Sequence, residues 1–536
     1  MSAARAEAGD TSEQRAITRR AGVVATGTLA SRLLGAVRDA VIAATFAVTA
    51  TDAFFVAFTI PNALRVLLGE GAASAAFVPV FSEVRAKEGH DRARRFFGAM
   101  TGAMAVVLLA VSVVGVVAAP ALVTLYAAGY LDDPARFATT VQLTRMVFPY
   151  IFLMGLAALA VGALNAMKRF AVPAFAPALL NVALIAAPFV FVPVAVAMGL
   201  EPIAALAIGA LVGGLLQVLA QLPALAGTGV LTWPRLGFRD PYVRKAFRLM
   251  VPLLAGLGVY QLNIMLSRLF ASFLEPGAQS YLYYAQRLVE IPQGMFALAI
   301  ASATLPTLSD LRNRGNDAEV RRVFRYGLRL SLFVAVPAGA ALFVLAEPTV
   351  AVIFGRGEFE ARQIAHTAHT LRWMALGIWA VASVRTVIPA FHAQNDTRTP
   401  VVASAVNLLV FVALSALLMF PMGPAGIAAA ISTAAAVQLA TLLGRLRRRT
   451  GPLGLKEVGV SLGRSLLASL VMGAALWGLA RFGTWELGGN VARNVIVYVG
   501  CLVAGAAIYL GAAALLGSSE LGDLLRAIRR RSRSPR

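Results

Sequence analysis

Long apolar stretches separated by short polar interruptions run along the whole chain. A helix needs about 20 predominantly apolar residues to cross a bilayer. Fourteen stretches reach or approach that length, near 21–46, 52–82, 97–128, 137–167, 172–198, 203–228, 243–273, 279–308, 320–346, 365–394, 399–420, 423–444, 459–481 and 492–517. Charges interrupt the seventh and eighth, which are the weakest of the set. The pattern predicts an all-α integral membrane protein with 14 transmembrane helices.

The polar interruptions carry a second signal. Arg85, Lys87, Arg92, Arg94 and Arg95 follow the second stretch, and Lys168 and Arg169 follow the fourth. The intervening loops hold only scattered cations: Arg136, Arg356, Arg362, Arg481 and Arg493. Basic residues in alternate loops are the positive-inside bias. They predict an even number of spans with both termini in the cytosol. Residues 1–20 read as a polar cytoplasmic tail. Arg32 near the middle of the first apolar stretch argues against a cleavable signal peptide.

A faint internal repeat divides the chain. Ser31-Arg32-Leu33-Leu34 is echoed by Ser267-Arg268-Leu269-Phe270, and Phe77-Val78-Pro79 by Thr304-Leu305-Pro306. Pro173 and Asn181 return as Pro400 and Asn407. Both copies begin on the same side of the membrane, so the repeat is parallel, an arrangement used by many transporters. The expected organisation is an N-lobe over 21–228, a C-lobe over 229–446, two further helices in 447–517 and a basic cytoplasmic tail over 518–536.

Composition agrees with this reading. Of 536 residues, 59% are apolar and 14% charged, with a mean hydropathy of +0.75. So few charges do not cover a water-soluble surface. The net charge of +22 would suggest nucleic acid in a soluble protein. Here its distribution follows the membrane rule, so nucleic-acid binding is not expected. A single cysteine, Cys501, forms no intrachain disulfide, and four scattered histidines give no zinc motif. No metal site and no cofactor are expected.

The chemistry lies in charges placed inside the spans, where each costs about 2.5–3.5 kcal/mol and points to function. The first two helices carry Arg32, Arg38, Asp39, Asp52, Arg65 and Glu70; the eighth carries Arg287 and Glu290, and the tenth Arg385. Arg32 and Asp39 lie two turns apart, nearly on one helix face. The planar fork of arginine suits bidentate binding of phosphate, so the cluster predicts an anionic substrate. The competing reading is a set of salt bridges, such as Arg38 with Asp52 or Arg287 with Glu290. Pro61-Asn62 predicts a kink in the second helix, followed by Asn62, Arg65 and Glu70. Arg145, Arg268 and Arg372 read as snorkelling side chains outside the site. Asp52 and Glu70 are also candidates to report a coupling ion or proton.

These residues sit in segments that resemble the MurJ (MviN) lipid II flippases of the MOP transporter superfamily. The segments are SRLLGAVRDA at 31–40, TDAFFVAFTIPNALRVLLGEGAASAAFVPVF at 51–81, RFAVPAFAPALLN at 169–181, YYAQRLVEIPQG at 283–294 and NDTRTP at 395–400. The resemblance implies two six-helix lobes in a V shape around a cationic cavity. It implies a monomeric transporter, not an enzyme, of the bacterial cytoplasmic (inner) membrane. The implied substrate is lipid II, the undecaprenyl-diphosphate-linked peptidoglycan precursor. It would move from the inner to the outer leaflet by alternating access, with its diphosphate held by cavity arginines. By motif position the family's functional residues fall on Arg32, Arg38, Asp52, Asn62, Arg65, Glu70, Arg287 and Arg385. Asp39 and Glu290 join them from the charge map. Gln286 departs from relatives that carry a carboxylate there, and Glu290 one turn on is the candidate replacement. Coupling is expected to the membrane potential, Na+ or H+. Asn263, Asn395, Asp396 and Asn407 are the oxygen donors available for sodium, although 395–399 reads better as a helix cap. A flippase for another polyprenyl-diphosphate-linked glycan is the alternative. A transferase would need a metal-binding carboxylate pair, and Asp132-Asp133 reads instead as helix capping.

Overall fold

A chain this apolar has to satisfy its backbone hydrogen bonds internally, and helices do so within a single segment. The computed structural model is helical, with no strand among the described residues. It describes residues 2–67, 74–293, 317–394, 396–451, 453–523 and 526. Ten helices in that set are long and apolar enough to cross a membrane, or eleven if the bent pair Ala361–Ala375 and Ile378–His392 is one span. The chain forms two compact units, Met1–Met265 and Leu266–Arg536.

Unit 1 contains α1 (Ser2–Thr45), α2 (Val48–Leu64), α3 (Ser74–Val117), α4 (Ala119–Tyr126), α5 (Pro134–Val147), α6 (Tyr150–Ala166), α7 (Ala171–Val190), α8 (Val192–Ala197) and α9 (Ala204–Ala226). It also holds the first part of α10 (Pro241–Ser272). The polar residues 2–20 are helical and continuous with the rest of α1. The predicted loop over 83–96 is helical, but α3 is no straight rod. Its backbone leaves helical geometry at Gly89, with φ 82°. Phe77 and Phe96 are 19 positions apart, about 28 Å along a straight helix, yet their rings stack at 5.7 Å. The two arms therefore fold back on each other, with Phe77, Phe81, Phe96 and Phe97 in the core between them.

Ion pairs attach the start of α10 to this hairpin. Lys245 reaches Glu83 at 2.5 Å and Arg92 reaches Asp240 at 2.9 Å, while Tyr242 donates to Glu88. The segment leading into α10 lies directly on α3, where the Arg235 amide donates to the Gly98 carbonyl. A Cβ on Gly102 would fall 2.2 Å from the Arg235 carbonyl oxygen. Gly102→Ala is expected to cost about 1–3 kcal/mol by overpacking. Gly500→Ala, on a helix with open space at that position, is expected to leave thermal unfolding of the purified protein unchanged. Equal midpoints for the two variants would remove close backbone approach as the reason for Gly102.

Unit 2 holds the end of α10, α11 (278–293), α12 (Asp317–Val344), α13 (Ala346–Phe354), α14 (Ala361–Ala375), α15 (Ile378–His392), α16 (Arg398–Met422), α17 (Pro424–Thr450), α18 (Leu455–Ala480) and α19 (Ala492–Leu515). One core joins α12, α15 and α17 through Phe324, Leu328, Val387, Phe391 and Leu442. Another joins α12, α18 and α19 through Phe333, Met472, Leu476 and Tyr509. Related helices pair in each unit. Asn181 of α7 bonds to Ser31 of α1, and Phe411 of α16 packs edge-on against Phe270 of α10. Thr304-Leu305-Pro306, the second copy of the Pro79 motif, lies outside the described residues.

Candidate functional site

Along α1 the sequence delivers two cations to different surroundings. Arg32 is exposed, whereas Asp39 is buried and Arg38 largely so. The Arg38 guanidinium donates to Asp39 Oδ1 from Nε at 2.9 Å and from Nη2 at 2.6 Å. Its Nη1 donates to Asn181 Oδ1 on α7 at 3.0 Å. The Asn181 amide in turn donates to the Ser31 carbonyl at 2.9 Å. The carboxylate and the amide therefore hold the fork in one plane. An arginine oriented in this way presents fixed donors rather than a mobile charge. Asn181 was legible only as a repeat position; its role depends on α7 packing against α1.

Pro61 lies inside α2, which continues through Asn62 to Leu64. The irregularity comes afterwards, as a wider π turn over 65–67, a feature frequent at functional sites. Asn62 Oδ1 accepts from Arg65 Nε at 3.0 Å, so these two predicted residues do meet. Glu70 lies outside the described residues.

Asp52 pairs with a cation the sequence reading left outside the site. It is fully buried on α2, and its partner is Arg136, whose Nη2 reaches Asp52 Oδ2 at 2.5 Å. Arg136, expected in the loop before the fourth span, sits in the first turn of α5. Asp133 caps α5, accepting from the Arg136 amide at 3.1 Å, and Pro134 occupies the first turn. That start aims the Arg136 side chain across to α2. Its guanidinium lies 3.8 Å from the centre of the Tyr130 ring and donates to the Tyr130 hydroxyl at 2.9 Å. Nothing in the local sequence signals this pair, because residues 52 and 136 meet only through the packing of α2 with α5.

In unit 2, Arg287 and Glu290 pair along α11 at 2.8 Å, the separation expected of neighbours at i and i+3. Gln286 also donates to Glu290, at 3.3 Å. The Arg287 guanidinium lies over the Tyr283 ring at 5.0 Å and donates to its hydroxyl at 3.2 Å. Arg268 lies near the same ring at 5.8 Å. It donates to the Gln279 carbonyl at 2.9 Å. Arg385 is exposed on α15, with Nη1 3.5 Å from the Gln293 carbonyl.

Asp396 behaves as a cap. Its Oδ1 accepts from the amides of Arg398 and Thr399 at 3.0 Å each, and Arg449 pairs with its other oxygen. The Thr399 hydroxyl and amide hold its carboxyl below the usual carboxylate range. Asn395 lies outside the described residues.

The model of the lipid II flippase MurJ family matches residues 42–496. A probable lipid II flippase MurJ from Vibrio cholerae is 35% identical over 92% of this chain and 95% of its own length. A lipid II flippase MurJ from Burkholderia cenocepacia is 35% identical over 91% and 95%. Among solved structures, a lipid II flippase MurJ in an inward closed conformation shares the fold, with a TM-score of 0.77, 24% identity and coverage of 94% of this chain and 99% of that one. An inward-facing multidrug resistance MATE family transporter of the MOP superfamily shares it more distantly, at a TM-score of 0.67, 12% identity and coverage of 79% and 95%. The 455-residue family match, near-complete coverage by curated relatives and the all-helical fold together show that this chain belongs to the MurJ family of lipid II flippases.

Proposed function

We propose that this chain carries lipid II from the inner to the outer leaflet of the bacterial cytoplasmic membrane by alternating access, with both termini in the cytosol and one chain as the working unit. The diphosphate is held by guanidinium groups, with Arg32, Arg38 and Arg65 as the candidates on the first two helices. The sequence-based expectation adds Arg287 and Arg385 to them. The polyprenyl tail stays in lipid throughout.

The observation that carries this reading is the anchored fork of Arg38, fixed by Asp39 and Asn181 in a helix pair of a membrane protein. Preset donors suit a diphosphate, because the cost of ordering the arginine is met before the ligand arrives. Moving one charge across the membrane changes energy by about 2.3 kcal/mol per 100 mV. With a negative interior, outward movement of an anion is downhill, so the membrane potential assists the step.

In a strain whose growth depends on this protein, Arg65→Ala is expected to abolish growth while lipid II accumulates on the inner leaflet. Normal growth with normal surface exposure of lipid II would discard the anion-binding assignment.

A further inference from the structure

A separate cavity of about 410 Å³ opens where α12, α18 and the segment after α19 meet. Its walls include Arg329, Lys456, Glu457, Val460, Arg464 and Glu520. The charges there do not cancel. Glu520 is almost completely buried and is matched by Arg329, whose Nε donates to it at 2.6 Å. Ser461 and Ser518 donate to the same carboxylate at 2.8 Å each. Burial alone would raise the Glu520 carboxyl, but these donors outweigh it and hold it at about 2, so it remains an anion already satisfied by its neighbours. Glu457 pairs with Arg325 at 3.4 Å. Two cations remain. Arg464 gives one donor to the Gly517 carbonyl at 2.8 Å and keeps the rest of its fork, and exposed Lys456 has no partner among the described residues.

The position of these cations selects the ligand. Lys456, Val460, Arg464, Leu467 and Val471 recur at intervals of three and four residues, so they occupy one face of α18. The charged end of that face, with Val460 between its two cations, lines the cavity, and the apolar end beyond it is exposed, with Leu467 at 55% and Val471 at 56%. Within a membrane span these residues meet acyl chains. One face thus runs from an anion-binding pocket into lipid, the profile of an amphiphile with a phosphate headgroup. A volume near 400 Å³ lies at the small end of ligand pockets, suited to a headgroup and too small for a disaccharide peptide.

We infer that this cavity is a binding site for the phosphate headgroup of an anionic phospholipid, with Lys456 and Arg464 as its ligands and the exposed face of α18 as the bed for an acyl chain. The site is distinct from the arginines assigned to transport.

The test uses the full chain in nanodiscs, titrated with phosphatidylglycerol against a phosphatidylcholine background and read by native mass spectrometry of retained lipid. Lys456→Gln with Arg464→Gln is expected to weaken phosphatidylglycerol retention about 30-fold, from about 1 kcal/mol per basic residue near the membrane surface. Val460→Glu, at an exposed position, is expected to weaken it without removing either cation. Arg239→Gln with Arg244→Gln, which removes two cations from unit 1, is expected to have no effect. Equal loss in that control would show a general charge effect and overturn the site. Retention unchanged in both cavity variants would overturn it as well. Displacement of the lipid by soluble glycerol phosphate at equal concentration would reassign the pocket to a free phosphate and overturn the lipid reading.

Discussion

Arg136→Ala is expected to destabilise unit 1 by about 3–5 kcal/mol, the penalty for leaving a buried charge without its partner. Asp52 has no accessible surface, and the Arg136 side chain only 12%. Removing the guanidinium takes the ion-pair partner from a carboxylate with no accessible surface. It also removes the cation from the Tyr130 ring. Asp52→Ala is expected to cost a similar amount by stranding the arginine. Replacing both, as Asp52→Leu with Arg136→Met, should restore most of the loss, because a packed apolar pair is often as stable as a buried ion pair. Thermal unfolding of the wild type, Asp52→Leu alone, Arg136→Met alone and the two combined forms a double-mutant cycle. Additive losses would show that the two side chains do not act as a pair. Transport by the restored double variant then separates the two roles of Asp52. Recovered transport marks a structural partner, and transport still lost marks a carboxylate required for the cycle.

Arg38→Lys is expected to lower lipid II transport in proteoliposomes about ten- to a hundred-fold while leaving the net charge unchanged. Lysine keeps the positive charge but loses the planar fork, and each charge-assisted hydrogen bond it forgoes is worth about 1.5–3 kcal/mol. Asn181→Ala tests the same geometry from the other side. It leaves Arg38 in place but removes one of the groups that fix its plane. It also removes the bond to the Ser31 carbonyl. A smaller loss is expected for Asn181→Ala than for Arg38→Lys. Wild-type transport in Arg38→Lys would show that charge alone suffices and that the anchored fork is irrelevant.

Much of the architecture is legible in the sequence. Spans follow from apolar length because lipid offers no partner to backbone groups, and ten helices among the described residues are long and apolar enough to cross a membrane, eleven with the bent pair counted as one span. Asp133 as a helix cap and Arg287 with Glu290 as neighbours were also legible, since both depend only on spacing within a few residues. Errors arose where distant segments meet. Arg136 was read as a loop cation because its partner is 84 positions away. Arg268 is engaged by Gln279 and Tyr283 across the turn between α10 and α11, contacts that its own segment does not announce. The charged 83–96 connection is helical on both sides of its turn at Gly89.

The sequence by itself determined that this chain is a multi-pass helical membrane protein, that it carries charges inside its spans and that its motifs are those of the MurJ family. Each of these is written in local composition, period or spacing. Only the tertiary structure decided which charge meets which. It gave Asp52 to Arg136, Arg38 to Asn181, and left Lys456 and Arg464 at the mouth of a separate cavity. The reason is physical: hydrophobicity is a property of each segment, but the pairing of buried charges depends on which helices pack, and no single segment contains that information.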